Sequence, residues 1–111
     1  MPVQNFNAQP GQRLQMVASP VSDFNPPPNG TPGLVNTTDR PTTWAPQDAL
    51  TTISDVAADG LSAVVNVGTS PGVSTVRASG TKPNGDGFNQ DFTVTIAELA
   101  AIGFIFTATV L

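Results

Sequence analysis

Apolar and polar residues alternate along several short stretches of the chain, which is the pattern of β-strands that bury one face. The clearest stretch covers residues 61–67, where Leu, Ala, Val and Val occupy every second position. Similar alternation or β-prone composition marks further stretches, at 14–19, 34–38, 42–45, 50–54, 74–79, 92–96 and 104–110. No stretch has the period of an amphipathic helix of ordinary length, although 97–101 could form a single helical turn or a bend. The pattern therefore predicts seven or eight short strands.

Residues that favour turns separate these stretches. Asp59 and Gly60 together predict a tight turn between two strands. Longer loops are predicted at 23–33, which contains three consecutive prolines, and at 80–91, which contains an Asn-Gly and an Asp-Gly pair. Many short strands separated by such turns are typical of an all-β sandwich or barrel.

The two ends of the chain differ in polarity. Residues 1–12 are polar and include two prolines, so we expect an N-terminal arm that is poorly ordered without a partner. They lack an apolar segment, and no signal peptide is expected. Residues 99–111 are apolar and uncharged, but a membrane-spanning helix needs about 20 residues, so a buried strand is the expectation and a membrane anchor the minor alternative. With 111 residues in total, one domain over 13–111 is expected.

Composition and charge remove most kinds of chemistry. Lys and Arg number only 4 and the net charge is −4, so neither a nucleic-acid footprint nor a basic membrane patch is expected. The chain has no Cys and no His, and Glu98 is the only glutamate. Disulfides and thiolate metal sites are therefore impossible, and no base is available to activate a serine or threonine. We expect a protein that is not an enzyme and that needs no cofactor.

The order of these signals resembles the bacterial Ig-like (BIG) domains, and especially their short relatives in tailed-phage virion proteins. The resemblance covers roughly residues 13–97. It rests mainly on Ala-Asp-Gly-Leu-Ser-Ala at 58–63 and on Pro-Gly-Val-Ser-Thr-Val at 71–76. It implies an immunoglobulin-like Greek-key β-sandwich of about 7–8 short strands, without catalytic residues, used for display, adhesion or particle decoration.

The resemblance also sets expectations for function and place. It implies a structural protein of a phage head or tail, at a virion or cell surface, that forms homo-oligomers or binds other virion proteins. The alternative is an adhesion module that binds a host-surface glycan or protein through its loops. The loop contacts expected for this role are Phe24, Pro27, Asn84 and Phe88.

One departure from the resemblance concerns the first strand. BIG-type domains normally begin with a strand before the one at 14–19, and the N-terminal arm is too polar to supply it easily. We therefore expect the apolar segment 102–111 to supply it, either within its own chain or in a neighbouring chain, where strand exchange would build oligomers. The residues expected to carry this assembly strand are Phe104, Ile105, Phe106 and Val110.

Two groups of side chains have competing interpretations. Trp44 is expected to pack in the core rather than to serve as a sugar-stacking platform, because no Tyr or His accompanies it. An oxygen-rich loop offers a weak calcium site, but its glycines explain it more simply as a turn. The calcium candidates are Asp86, Asn89 and Asp91. The residues predicted to form the core are Met16, Trp44, Val65, Val76 and Val94.

Overall fold

The computed structural model describes residues 3–21, 32–35, 39–98 and 103–111. These residues form an all-β sandwich of two sheets, which confirms the predicted fold class. Among them there is no helix, and hence none that is long and apolar enough to cross a membrane. The strands are β1 (Gln4–Ala8), β2 (Arg13–Val17), β3 (Thr43–Pro46), β4 (Thr51–Ser54), β5 (Ser62–Val67), β6 (Gly72–Thr81) and β7 (Gly87–Ile96).

The strand order is that of immunoglobulin-like sandwiches. One sheet has the order β1-β7-β6-β3 and the other the order β2-β5-β4. With β2 to β7 taken as strands B to G, these are the C-F-G and B-E-D arrangements of that architecture. All pairs are antiparallel except β1 with β7, which is parallel. The chain crosses between the sheets after β1, β2, β3 and β5, whereas β4–β5 and β6–β7 are hairpins within one sheet, and the loops collect at the two ends of the sandwich.

The core lies between the sheets and is built mainly from valines. Val65, Val76 and Val94 are fully buried, as their alternating positions predict. The ring of Phe92 meets those of Phe6 and Trp44 edge to face, with centroids 5.8 and 6.0 Å apart. The predicted core residues Met16 and Trp44 are half-buried and pack against this cluster.

The N-terminal segment corrects two expectations. β1 pairs with β7 from Gln4 opposite Phe92 to Ala8 opposite Ile96, so residues 4–8 are a strand rather than a poorly ordered arm. The arm, and not 102–111, supplies the first strand. The reason is that an edge strand needs only one apolar face. Phe6 and Ala8 form that face, while the polar residues between them lie on the exposed face.

The hairpin of β6 and β7 is longer than predicted. Its strands are paired from Gly72 with Ile96 to Thr81 with Gly87, so most of the predicted 80–91 loop is strand. The turn is closed by the Lys82 N–H, which donates to the Asp86 carbonyl at 2.7 Å. These strand ends were missed because cross-strand pairing, rather than local propensity, holds polar residues in a strand.

Hydrogen bonds of Asp48, Ser74 and Thr51 connect the loop after β3 to both sheets. The Ser74 hydroxyl, which is fully buried, donates to the Asp48 carboxylate at 2.8 Å and lies 2.8 Å from the Thr51 hydroxyl. The same carboxylate accepts the N–H groups of Thr75 and Leu50, each at 3.0 Å. Partial burial acts to raise the pKa of Asp48, but these three hydrogen bonds outweigh it, so the pKa lies below its ordinary value.

Acid is therefore expected to weaken the fold through Asp48. A carboxyl group whose pKa is depressed by folding stabilises the native state above its unfolded pKa, and this contribution is lost as the pH falls through the folded pKa. The free energy of unfolding, measured by urea denaturation between pH 7 and pH 2.5, should fall below about pH 4. Asp48→Asn should flatten that decline; an unchanged slope would contradict the assignment.

Candidate functional site

The described parts of the β2–β3 connection, residues 18–21, 32–35 and 39–42, lie at the same end of the sandwich as the β6–β7 turn, a relation that the sequence leaves open. β6 ends at the turn from which β7 begins, and β3, which is antiparallel to β6, also begins at this end. β2 ends there in the other sheet. The connection between β2 and β3 and the turn between β6 and β7 are therefore neighbours. We call this the loop end.

A groove at the loop end is lined mostly by apolar side chains. It has a volume of about 620 Å³ and lies between the β6–β7 hairpin and the segments that follow β2. Leu34 is 81% exposed and Phe88 is 39% exposed, so both present apolar surface to solvent. Lys82 is a charged residue among those that line it. The lining includes Pro20, Val21, Leu34, Val35, Leu61 and Phe88. We call this the loop-end groove.

The predicted loop contacts are placed differently by the structure. Phe88 lines the loop-end groove, and its ring lies over Gly80 on the facing strand, where a Cβ atom would be 2.7 Å from it. Asn84 also lines the groove, but its side chain shapes the turn by accepting the Asp86 N–H at 3.0 Å. Phe24 and Pro27 lie outside the described residues. The sequence did not predict Leu34 and Val35 as groove residues. The signal that could have identified them is that they are apolar and directly follow the predicted 23–33 loop.

The calcium candidates do not converge on one site. The Asp91 carboxylate binds the Arg77 guanidinium through two contacts of 2.8 and 3.2 Å. Asp86 lies in the turn, and its carboxylate accepts the Asn84 amide at 3.2 Å. Asn89 is exposed on β7, opposite Ser79. At about 3.3 Å per residue, five positions separate Asp86 from Asp91 by on the order of 15 Å.

No other metal site emerges from the part of the chain that the structure describes. Within it, no group of three or more acidic side chains is placed to hold an ion.

The hydrogen bonds from Arg77, together with its positive charge, outweigh the small desolvation and hold the pKa of Asp91 below its usual value. This carboxylate is therefore already committed to an ion pair on the surface of the sheet.

The segment 103–111 is the second candidate site, and the structure overturns the expectation that it closes its own sandwich. It is neither helix nor strand, belongs to neither sheet and is exposed throughout. The rings of Phe104 and Phe106 lie on one side, with centroids 6.2 Å apart. The four predicted assembly residues are 87–98% exposed: Phe104, Ile105, Phe106 and Val110. Residue 102 lies outside the described residues. We call 103–111 the C-terminal segment.

Comparisons of the sequence with protein families and with curated proteins were negative. No protein-family model matches the chain, and no curated protein matches it. The fold and the two candidate surfaces, the loop-end groove and the C-terminal segment, are therefore the basis for assigning a function.

Proposed function

We propose that this protein is a non-enzymatic structural module that self-associates through its C-terminal segment. The single observation that carries the proposal is the exposure of an apolar segment outside both sheets on a chain whose sandwich already has its first strand. Its resemblance to BIG-type domains of tailed-phage virion proteins suggests the setting, a decoration or display role on a virion head or tail or at a cell surface.

Energetics support association through this segment. Burial of a Phe, Ile or Val side chain contributes about 1.5–3 kcal/mol each. The C-terminal segment exposes several such side chains in nine residues and carries no charge to keep it in water. An exposed apolar strand is a template for pairing with another chain. A second copy provides a strand edge and an apolar surface without any further component.

The side chains also support a role without catalysis. The sequence has neither His nor Cys, so the most frequent general base and the strongest nucleophile among side chains are missing. Among the carboxylates, those of Asp48 and Asp91 are occupied by hydrogen bonds within the fold. The pKa of each is lowered, which is the opposite of what a general acid at neutral pH requires.

The proposal predicts that charge on one face of the C-terminal segment abolishes self-association. Phe104→Asp combined with Phe106→Asp should convert an oligomer to a monomer, because two carboxylates cannot be buried in an apolar interface. Light scattering coupled to size exclusion measures the mass. Thr107→Asp combined with Thr109→Asp adds the same charge to the other face and should retain more association. A wild-type chain that is monomeric at high micromolar concentration would refute the proposal.

A second function is supported by the loop-end groove. Adhesion to a host-surface glycan or protein needs loops that act together, and the described residues of the β2–β3 connection line one groove together with the β6–β7 turn. Phe88→Ala should then reduce binding on a glycan or cell-surface array at least tenfold. Val73→Ala removes a similarly exposed apolar residue at the far end of the hairpin and should not. Binding that is insensitive to Phe88→Ala would exclude this role for the groove.

A further inference from the structure

The four edge strands of the sandwich, β1, β2, β3 and β4, differ in how many outward backbone N–H and C=O groups they present to an added strand. In a ladder, alternate residues point their N–H and C=O groups toward the neighbouring strand and away from it. The Gln47 N–H, just after β3, donates to the Thr75 carbonyl, so the odd-numbered residues of β3 point their backbone groups toward β6. Trp44 and Pro46 therefore point theirs outward. Proline has no N–H, and the next outward N–H, that of Thr42, is already bonded to the Asp59 carbonyl. β3 is therefore a poor acceptor.

β1 and β4 offer short edges. The Ala97 N–H donates to the Ala8 carbonyl, which makes Asn5 and Asn7 the outward residues of β1. The Gly68 N–H donates to the Leu50 carbonyl, which leaves Thr51 and Ile53 outward on β4. Each edge therefore has two outward residues.

β2 has the longest edge. The Ala18 N–H donates to Leu61 and the Val67 N–H to the Gln12 carbonyl, so even-numbered residues point toward β5. Arg13, Gln15 and Val17 then point their backbone groups away from the sheet, and no described strand lies beside them. In constant-type immunoglobulin sheets this position beside strand B is filled by strand A. Here β1 lies in the other sheet and leaves it open.

We propose that the C-terminal segment of one copy adds as a β-strand to the β2 edge of a second copy. This inference rests on the proposed function, since it names the acceptor for the same self-association. The donor is nine residues long and the acceptor is five, so the donor can cover the whole edge. Three outward residues allow up to six backbone hydrogen bonds between the chains.

The side chains of donor and acceptor match on both faces. On the core side of β2, Leu14 and Met16 are only half-buried and would be covered by Phe104 and Phe106. A cavity of about 500 Å³, lined by Phe6, Met16, Trp44 and Phe92 among others, lies behind this edge and can receive an aromatic ring.

On the outer side, the donor presents Ile105, Thr107 and Thr109 next to the exposed side chains of β2. Val17 is 69% exposed and would gain an apolar neighbour. The donor has no charge, so the pair between Arg13 and Asp55, at 2.9 Å, need not be broken.

The test removes one outward donor from the full chain. Gln15→Pro deletes an N–H that β5 does not use, so the sandwich should fold while strand addition is blocked. Association, measured by analytical ultracentrifugation, should weaken at least tenfold. Asn5→Pro makes the matched change on the β1 edge and should leave association within about twofold of the wild type. If Asn5→Pro weakens association and Gln15→Pro does not, the β2 assignment is wrong while the proposed function stands.

A second measurement does not depend on the proline variant folding. The chain has no cysteine, so introduced pairs are the only disulfides that can form. Gln15→Cys mixed with Thr107→Cys or Thr109→Cys should give a cross-linked dimer of the two different chains upon oxidation. Asn5→Cys in place of Gln15→Cys should not. Placed in one chain, Gln15→Cys and Thr107→Cys should form the disulfide between chains; closure within one chain, or no preference over Asn5→Cys, would overturn the proposal.

Discussion

Replacement of Gly60 by alanine is expected to remove more than about 4 kcal/mol from the free energy of unfolding, which is a large part of the roughly 5–15 kcal/mol that stabilises a native protein. Gly60 has a φ of 73°, and a Cβ atom there would overlap the Thr42 carbonyl oxygen. That neighbour is backbone, and the Thr42 N–H is itself bonded to Asp59. The entry into β3 would have to move.

Gly11 provides the matched control for this prediction. Its φ of 80° is equally unfavourable for alanine, but no atom lies within 4 Å of the added Cβ. Gly11→Ala should therefore cost only the conformational term, about 1–2 kcal/mol. Urea denaturation followed by circular dichroism measures both. Similar losses for the two variants would show that the contact with Thr42 is not what makes Gly60 necessary.

Replacement of Trp44 by alanine is expected to cost about 3 kcal/mol, at the lower end for a large aromatic residue because the side chain is half-buried. The indole ring packs edge to face on Phe92, and its N–H donates to the Gly60 carbonyl at 2.7 Å. Trp44→Phe retains most of the packing but leaves that carbonyl without its partner, so it should cost about 1 kcal/mol.

The pair of substitutions also separates the two interpretations of Trp44. A packed core residue gives a graded loss of stability, with alanine worse than phenylalanine, in denaturation followed by circular dichroism. A surface platform for sugars would give little change in stability for either variant and a loss of glycan binding for both. The hydrogen bond to Gly60 also links this tryptophan to the turn that Gly60→Ala disrupts. The losses in free energy of unfolding caused by Gly60→Ala and Trp44→Ala should therefore not be additive when the two substitutions are combined.

Local patterns predicted the central strands well. β5, β6 and β7 correspond to the stretches that alternate most clearly, and their inward valines are buried. The Asp59-Gly60 turn was predicted from residue type alone, since only glycine readily adopts a positive φ. Alternation could not reveal β1, because its polar residues are stabilised from the facing strand, where the Thr93 and Thr95 hydroxyls donate to the Asn5 side chain at 2.8 and 2.9 Å.

The candidate site was predicted in part. Phe88 and Asn84 do line a groove, whereas the oxygen-rich residues expected near calcium are divided between a turn and the Arg77 ion pair. Whether loops meet depends on the directions of strands far apart in sequence. The network that joins the exposed Asp48 to the buried Ser74 and Thr51 was also missed, because its hydrogen bonds join residues 23 or more positions apart.

The sequence by itself determined the central strands β5, β6 and β7, the position of the Asp59-Gly60 turn, and the lack of His and Cys. These are properties of residue type and short-range period. Only the tertiary structure decided which end of the chain completes the sheet, because β1 and β7 pair across almost the whole sequence. With that place taken by the polar arm, the apolar segment 103–111 remains outside the sandwich and exposed. Its exposure, together with its hydrophobicity, makes it the candidate for assembly.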